Sequence, residues 1–145
     1  MRRFAITVIL ALQSVAMMGQ PRHITVAADG TGEFTSVQEA VNSIRAYMSD
    51  TTYMFVKAGV YHEKIVVPSW VTNLFMKGEG AEKTVITWDD YAGLRDMGTF
   101  RTYTIWIQGS GFTAEDITFE NSAGPVGQAV AVHTDGDRAV FRRCR

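Results

Sequence analysis

Few side chains in this sequence are arranged for chemistry by residue type and spacing alone. The histidines, His23, His62 and His133, are far apart and show no metal-ligand spacing. The single cysteine, Cys144, excludes an internal disulfide framework, and a lone cysteine in a strand pattern is more often a small buried hydrophobe than a reactive thiol. Gly78-Glu79-Gly80 and Gly109-Ser110-Gly111 invite a phosphate-loop reading, but Glu82 stands where such a loop needs glycine and no helix follows. Those glycines instead suit corners that need positive φ. Glu115-Asp116 is a paired carboxylate, yet neighbours in a strand point to opposite faces and form no dyad. Asp89-Asp90 reads as a solvated turn, Asp135 and Asp137 as part of a corner, and Arg142, Arg143 and Arg145 as a solvated face. Gln128 resists such an account: polar and uncharged, it stands at the head of the apolar run Ala129-Val130-Ala131-Val132.

The elements that must position these residues follow from pattern. The chain has 145 residues, 14 Lys+Arg against 15 Asp+Glu, and 46% apolar residues. That suits one domain with a core and offers no basic face for nucleic acid. Arg2 and Arg3 precede a mostly apolar stretch from Phe4 to Met18, too short for a spanning helix. Residues 1–19 therefore read as a signal peptide cut after Gly19, and the protein as exported, with no membrane span after its removal. His23 to Ala27 alternates as a strand. Ser36-x-x-Glu39 is a capping box, and Val37, Ala40, Val41, Ile44 and Met48 form a helical stripe that Ser49-Asp50 ends.

Everything after that helix reads as short strands: Tyr53–Lys57, His62–Val67, Asn73–Lys77, Thr84–Trp88, Tyr103–Gln108, Phe112–Glu120, Ala129–His133 and Arg138–Cys144. The segments MFVKAGVYHEKIVV, LFMKGEGAEKTVITW, IWIQGSGFTAEDITF and VAVHTDGDRAVFRRC share one plan of strand, polar turn and strand. The steps Phe55 to Phe75, Phe75 to Trp106 and Ile107 to Val132 are 20, 31 and 25 residues, the longest holding the insertion Asp89 to Arg101. Repeats of that length built from strands alone predict an all-β solenoid, a right-handed parallel β-helix with one N-terminal capping helix. An antiparallel sandwich of hairpins is the competing architecture.

At this point the sequence resembles a known family. AADGTGEFTSVQEAV, KAGVYHEKIVV, GEGAEKTVIT, DITFENSAGPVGQAVAV and AVFRRC, in that order, look like successive segments of the pectinesterases, from about Ile24 to Arg145. The resemblance implies a secreted right-handed parallel β-helix that hydrolyses methyl esters of polygalacturonate (pectin), releases methanol, and needs no cofactor or metal. It carries Gly59, Tyr61 and Glu63 over as a mainly structural Gly-x-Tyr-x-Glu segment. Gln128 carries over as the cleft glutamine that stabilises the oxyanion, and Thr99 as a substrate-contacting threonine 29 residues before it. His133 stands where many members carry arginine, and reads as a corner residue.

The chemistry fits the glutamine. Ester cleavage passes through a tetrahedral oxyanion, and a neutral amide fixed on a rigid strand stabilises that charge. A cation would bind the substrate's free carboxylates equally in the ground state, which does not speed the chemical step. The family's nucleophile and acid/base are aspartates, and the resemblance puts both after the Arg142-Arg143-Cys144 strand. The expectation is therefore a pectinesterase N-terminal portion, a monomer when complete and inactive on its own as 145 residues. Competing readings are a non-catalytic carbohydrate-binding β-helix and another pectin-active β-helix enzyme, such as a lyase or polygalacturonase.

Overall fold

A computed structural model describes residues 21–145; the expected signal peptide and its cleavage point lie outside the described residues. The strands are β1 His23–Val26, β2 Thr52–Val56, β3 Gly59–His62, β4 Ile65–Val67, β5 Leu74–Gly78, β6 Thr84–Trp88, β7 Ile105–Ile107, β8 Thr113–Glu115, β9 Thr118–Asn121, β10 Val132–Thr134 and β11 Val140–Arg142, with a helix α1 at Val37–Asn42. They stack in three sheets, β1-β2-β5-β8-β11, β4-β7-β10 and β3-β6-β9. Every pairing is parallel. The chain is a parallel β-helix, right-handed as parallel crossovers are.

Alternation decides which side chains enter it. In β2, Thr52, Met54 and Val56 are buried while Tyr53 and Phe55 face out. Register then lines Ile24 with Met54 and Met76 down the interior. Ile65 and Val67 of β4 meet Ile105 and Ile107 in the same way. Each aliphatic side chain removed from water contributes about 1.5–3 kcal/mol.

The repeat was real, but its register differs from the sequence expectation. Tyr53 sits opposite Phe75, and Phe55 opposite Lys77. Ile105–Ile107 lies in a different sheet from Leu74–Gly78, and Trp106 pairs with Val66 and His133. Inward apolar triplets look alike whichever sheet they join, so sequence similarity alone aligned strands of different sheets. Two expected strands are also broken. His62–Val67 divides into the end of β3 and β4, and Phe112–Glu120 divides into β8 and β9 where Asp116 adopts φ 58°.

The helix begins as expected and stops early. The Ser36 hydroxyl accepts from the Glu39 N–H at 3.3 Å. The rest of the first turn is satisfied from a distance by Glu63, whose carboxylate accepts from the Val37 and Gln38 N–H groups, both at 3.0 Å, and from the Ser36 hydroxyl at 2.8 Å. The helix expected through Met48 ends at Asn42, where the Arg22 guanidinium takes the Ser43 carbonyl (2.6 Å) and the Ser43 hydroxyl takes that of Ala40 (2.7 Å), although Ile44 of the expected stripe is still buried in the core. Val37, Ala40 and Val41 are fully buried, and the helix packs on β1 and β4.

Only the second glycine of each pair has the positive φ expected of both: 134° at Gly80 and 75° at Gly111. Gly109 is required for a different reason. A Cβ there would lie 1.9 Å from the Val71 carbonyl oxygen of the coil below.

Candidate active-site wall

The Asp89–Arg101 insertion leaves β6, forms two short 3-10 turns at Leu94–Asp96 and Thr99–Arg101, and leads into β7 of a different sheet. It grips the segment before β10 at two points. The Thr99 hydroxyl donates to the Gln128 side-chain oxygen at 2.7 Å, and the Ala92 N–H donates to the Gln128 carbonyl at 2.8 Å. Gly127 permits this approach, since a Cβ there would sit 3.0 Å from the Ala92 oxygen. The two residues that the family resemblance carried over as substrate contacts are thus joined by a hydrogen bond, and both are solvent-accessible.

Their support was not legible from the sequence. Buried Thr102 donates its hydroxyl to the Thr99 carbonyl (2.7 Å) and accepts from the Val130 N–H (3.1 Å). Asn121, at the end of β9, donates its amide to the carbonyls of Asp90 and Thr102, both at 2.9 Å, and of Val130 at 3.2 Å. One side chain thus ties the start of the insertion, its end, and the segment following Gln128. An asparagine closing a strand before a Gly-Pro turn is a signal for local backbone bonding, but says nothing of three distant carbonyls.

Of the apolar run after Gln128, Val132 packs against the core but the residues before it do not join that cluster. The strand starts only at Val132, and Ala129 is exposed. His133 is an outward strand residue rather than a corner, in register with Trp106. The two rings stack with centroids 5.5 Å apart and 12° between planes. Phe100 lies 5.7 Å from the His133 ring and Tyr103 5.4 Å from that of Trp106. Asp135 fixes the pair: its carboxylate accepts from the Trp106 indole N–H at 2.7 Å and stands 3.3 Å from His133 Nε2. Aromatic faces held beside Thr99 and Gln128 suit the C–H face of a pyranose.

Three further expectations are corrected. Asp90 is not a solvated turn residue; it is paired with Lys64, whose ammonium also reaches the Arg101 carbonyl (2.7 Å) and lies 4.7 Å from the centre of the Tyr103 ring. Partial burial pushes the Asp90 carboxyl up, but Lys64, with smaller help from Trp88 and Arg95, holds it below the usual range. Glu115 and Asp116 share one side, because the left-handed backbone at Asp116 turns its side chain back. Lys77 Nζ lies 3.5 and 3.6 Å from them. Arg142 and Arg143 are not simply solvated: Arg142 bonds Glu115 at 3.0 Å, and Arg143 bonds Glu115 at 3.1 Å and Asp116 at 2.7 Å. Arg142 holds Glu115 and Arg143 holds Asp116 below the usual carboxylate range, so the two act as an ion-pair ladder and not as a proton-sharing dyad.

The Gly59 segment is remote from this chemistry. Tyr61 is buried, with its hydroxyl donating to the Lys57 carbonyl at 2.9 Å, and Glu63 serves α1. Cys144 is half-buried against the core. Among the described residues, no group of three or more histidines, cysteines and carboxylates could hold a metal ion, and no helix is long and apolar enough to cross a membrane.

The Thr99–Gln128 pair can act as a neutral donor. With its oxygen accepting from Thr99, the Gln128 amide is oriented and its NH2 is left to meet developing negative charge. Comparison with known proteins bears on the chain as a whole. The family model described as Pectinesterase matches residues 23–145. A pectinesterase/pectinesterase inhibitor of Brassica campestris is 42% identical over 128 residues, 87% of this chain and 22% of the relative. A carrot pectin methylesterase structure superposes with TM-score 0.81 at 37% identity, over 87% of this chain and 39% of that one. A pectin methylesterase solved in complex with a hexasaccharide gives TM-score 0.72 at 27% identity, over 86% and 43%. The chain thus spans less than half of each relative.

Proposed function

Because the chain belongs to the pectinesterase family, we propose that it forms one wall of a site that hydrolyses methyl esters of polygalacturonate and releases methanol. The observation that carries this reading is the bond between Thr99 and Gln128, which fixes a neutral amide at the surface beside the Phe100, Tyr103, Trp106 and His133 rings. The rings seat the sugar. The amide NH2 donates to the ester carbonyl oxygen more strongly as that oxygen gains charge, which accelerates the chemical step.

The same geometry limits what the wall does unaided. Nucleophilic attack needs an ionised carboxylate free to reach the ester carbon. On this face Asp90 is engaged by Lys64, and Asp135 by Trp106 and His133. The chain spans less than half of each relative, and the resemblance assigns the nucleophile and acid/base to aspartates on further coils, so the 145-residue chain alone is expected to release no methanol. Residues 1–19 direct export, and the working form is a monomer acting on extracellular pectin. The test is methanol release from methylated pectin by the purified chain: release above background that survives replacement of Gln128 would overturn both the limit and the role given to the amide.

A further inference from the structure

The five-stranded sheet carries an aromatic row on its outer face, distinct from the β4-β7-β10 sheet beside Gln128. Register sets His23 beside Tyr53 and Tyr53 beside Phe75, one ring per coil. The His23 and Tyr53 rings stack at 5.1 Å with 11° between planes, and Tyr53 and Phe75 lie 5.6 Å apart. Outward strand positions ordinarily carry polar groups, yet Tyr53 is 39% exposed and Phe55 is half-exposed beside it. These rings with Thr25 and Lys77 border a shallow cavity of about 210 Å³.

The cavity is charged in one sense only. No carboxylate lines it, and Lys77 does. The contacts of Lys77 to Glu115 and Asp116 are long, at 3.5 and 3.6 Å, and those two carboxylates are already bonded by Arg142 and Arg143. Its side chain is 45% exposed, which leaves room on the solvent side for a further anion. Ring faces of this kind take the C–H face of a sugar, and the neighbouring cation takes a carboxylate. The row spans three strands, roughly 10 Å at ordinary strand spacing, room for two sugar units.

We propose that the outer face of β1, β2 and β5 is a second saccharide surface, on which Tyr53 and Phe75 stack a uronic-acid pyranose and Lys77 pairs with its carboxylate. The choice of a uronate rests on the pectin reading of the Gln128 face. Whereas that face meets the ester to be cleaved, this one prefers de-esterified stretches, and would hold the protein on polymer that has already reacted. A purely apolar partner, by contrast, would set no counter-charge against the exposed side of Lys77.

The test is a titration of the isotope-labelled 145-residue chain with unmethylated tetragalacturonate, its methyl ester, and cellotetraose, followed residue by residue by NMR. The acid oligomer is expected to move the amides of Tyr53, Phe75 and Lys77. Tyr53→Ala should weaken that binding about tenfold. Lys77→Gln, and methylation of the oligomer, should each weaken it roughly threefold, as loss of a partly exposed ion pair does. Phe75→Leu preserves apolar volume and serves as a second variant if Tyr53→Ala does not fold. Shifts confined to the Gln128 face would overturn this surface and leave the pectin reading intact. Shifts here without any at Gln128 would support this surface and count against that reading. Equal response to cellotetraose, or concentration-dependent dimerisation abolished by Tyr53→Ala, would also overturn the proposal.

Discussion

Replacing Asn121 with alanine should loosen the Gln128 wall more than any other single change at an unannounced position. The side chain has two amide hydrogens shared among the carbonyls of Asp90, Thr102 and Val130, at 2.9, 2.9 and 3.2 Å. A neutral bond is worth about 0.5–1.5 kcal/mol net, and a carbonyl left unpaired in a partly buried place costs about 1–3 kcal/mol. Water reaches some of the vacated space, so the loss expected is roughly 2–3 kcal/mol, about 10 °C in Tm for a chain of this size. Asn121→Asp should cost more, because it points a carboxylate at three carbonyl oxygens. The loss should be local in its first effects. The Ala92 amide, which donates to the Gln128 carbonyl, and the Thr104 amide, which donates to that of Val130, should exchange with solvent much faster, while Met54 inside β2 changes only with global stability. Urea unfolding gives the total and hydrogen exchange gives the distribution. A loss below about 0.5 kcal/mol, or equal acceleration at Ala92 and Met54, would refute the clamp.

Other outcomes follow from the same geometry. Gly109→Ala should destabilise severely, by more than about 3 kcal/mol, because its Cβ would overlap the Val71 carbonyl; Gly98→Ala, with open space around it, should be nearly neutral, and equal thermal shifts would contradict the stacking distance. Glu63→Ala should cost about 2–3 kcal/mol by orphaning the Val37 and Gln38 amides and the Ser36 hydroxyl, and it should melt α1 first, as read from helix amide exchange; unchanged protection there would refute it. Asp90, Glu115 and Asp116 are all held below the ordinary carboxylate range, so their contribution to stability is complete above the unfolded value near pH 4 and is lost as pH falls through the lower folded values. The urea midpoint should therefore drop between pH 5 and pH 2, and a Lys64→Met variant should show a smaller drop; a flat profile would contradict the pairings.

How much of this was legible depended on which force decided each feature. Burial patterns set the strands, so Thr84–Trp88 was read to the residue. The capping serine was also plain, because its bond is local. The sheet assignment of each strand was not, since Ile105 faces the same interior as Met54 and Met76 but from a different sheet. Strand breaks escaped because Asp116 adopts a left-handed backbone that its residue type permits but does not announce. At the candidate site, Thr99 and Gln128 came from resemblance to a family, and the structure set them 2.7 Å apart. Asn121, Thr102 and the Trp106–His133 stack were hidden, because each works through a partner 27 or more residues away or through several partners at once. The Lys64–Asp90 pair was hidden in the same way: two charges on separate coils read as solvated until the fold joins them.

The central claim is that the Gln128 amide is the donor that meets the substrate's ester. Its most direct test is the side-chain NH2 resonance of Gln128 in the labelled chain during titration with methylated hexagalacturonate. A saturable shift of that resonance, accompanied by the Trp106 indole N–H and lost together with most of the affinity in Thr99→Val, is the predicted result. A Gln128 resonance that stays fixed while the saccharide binds elsewhere on the chain would contradict the account.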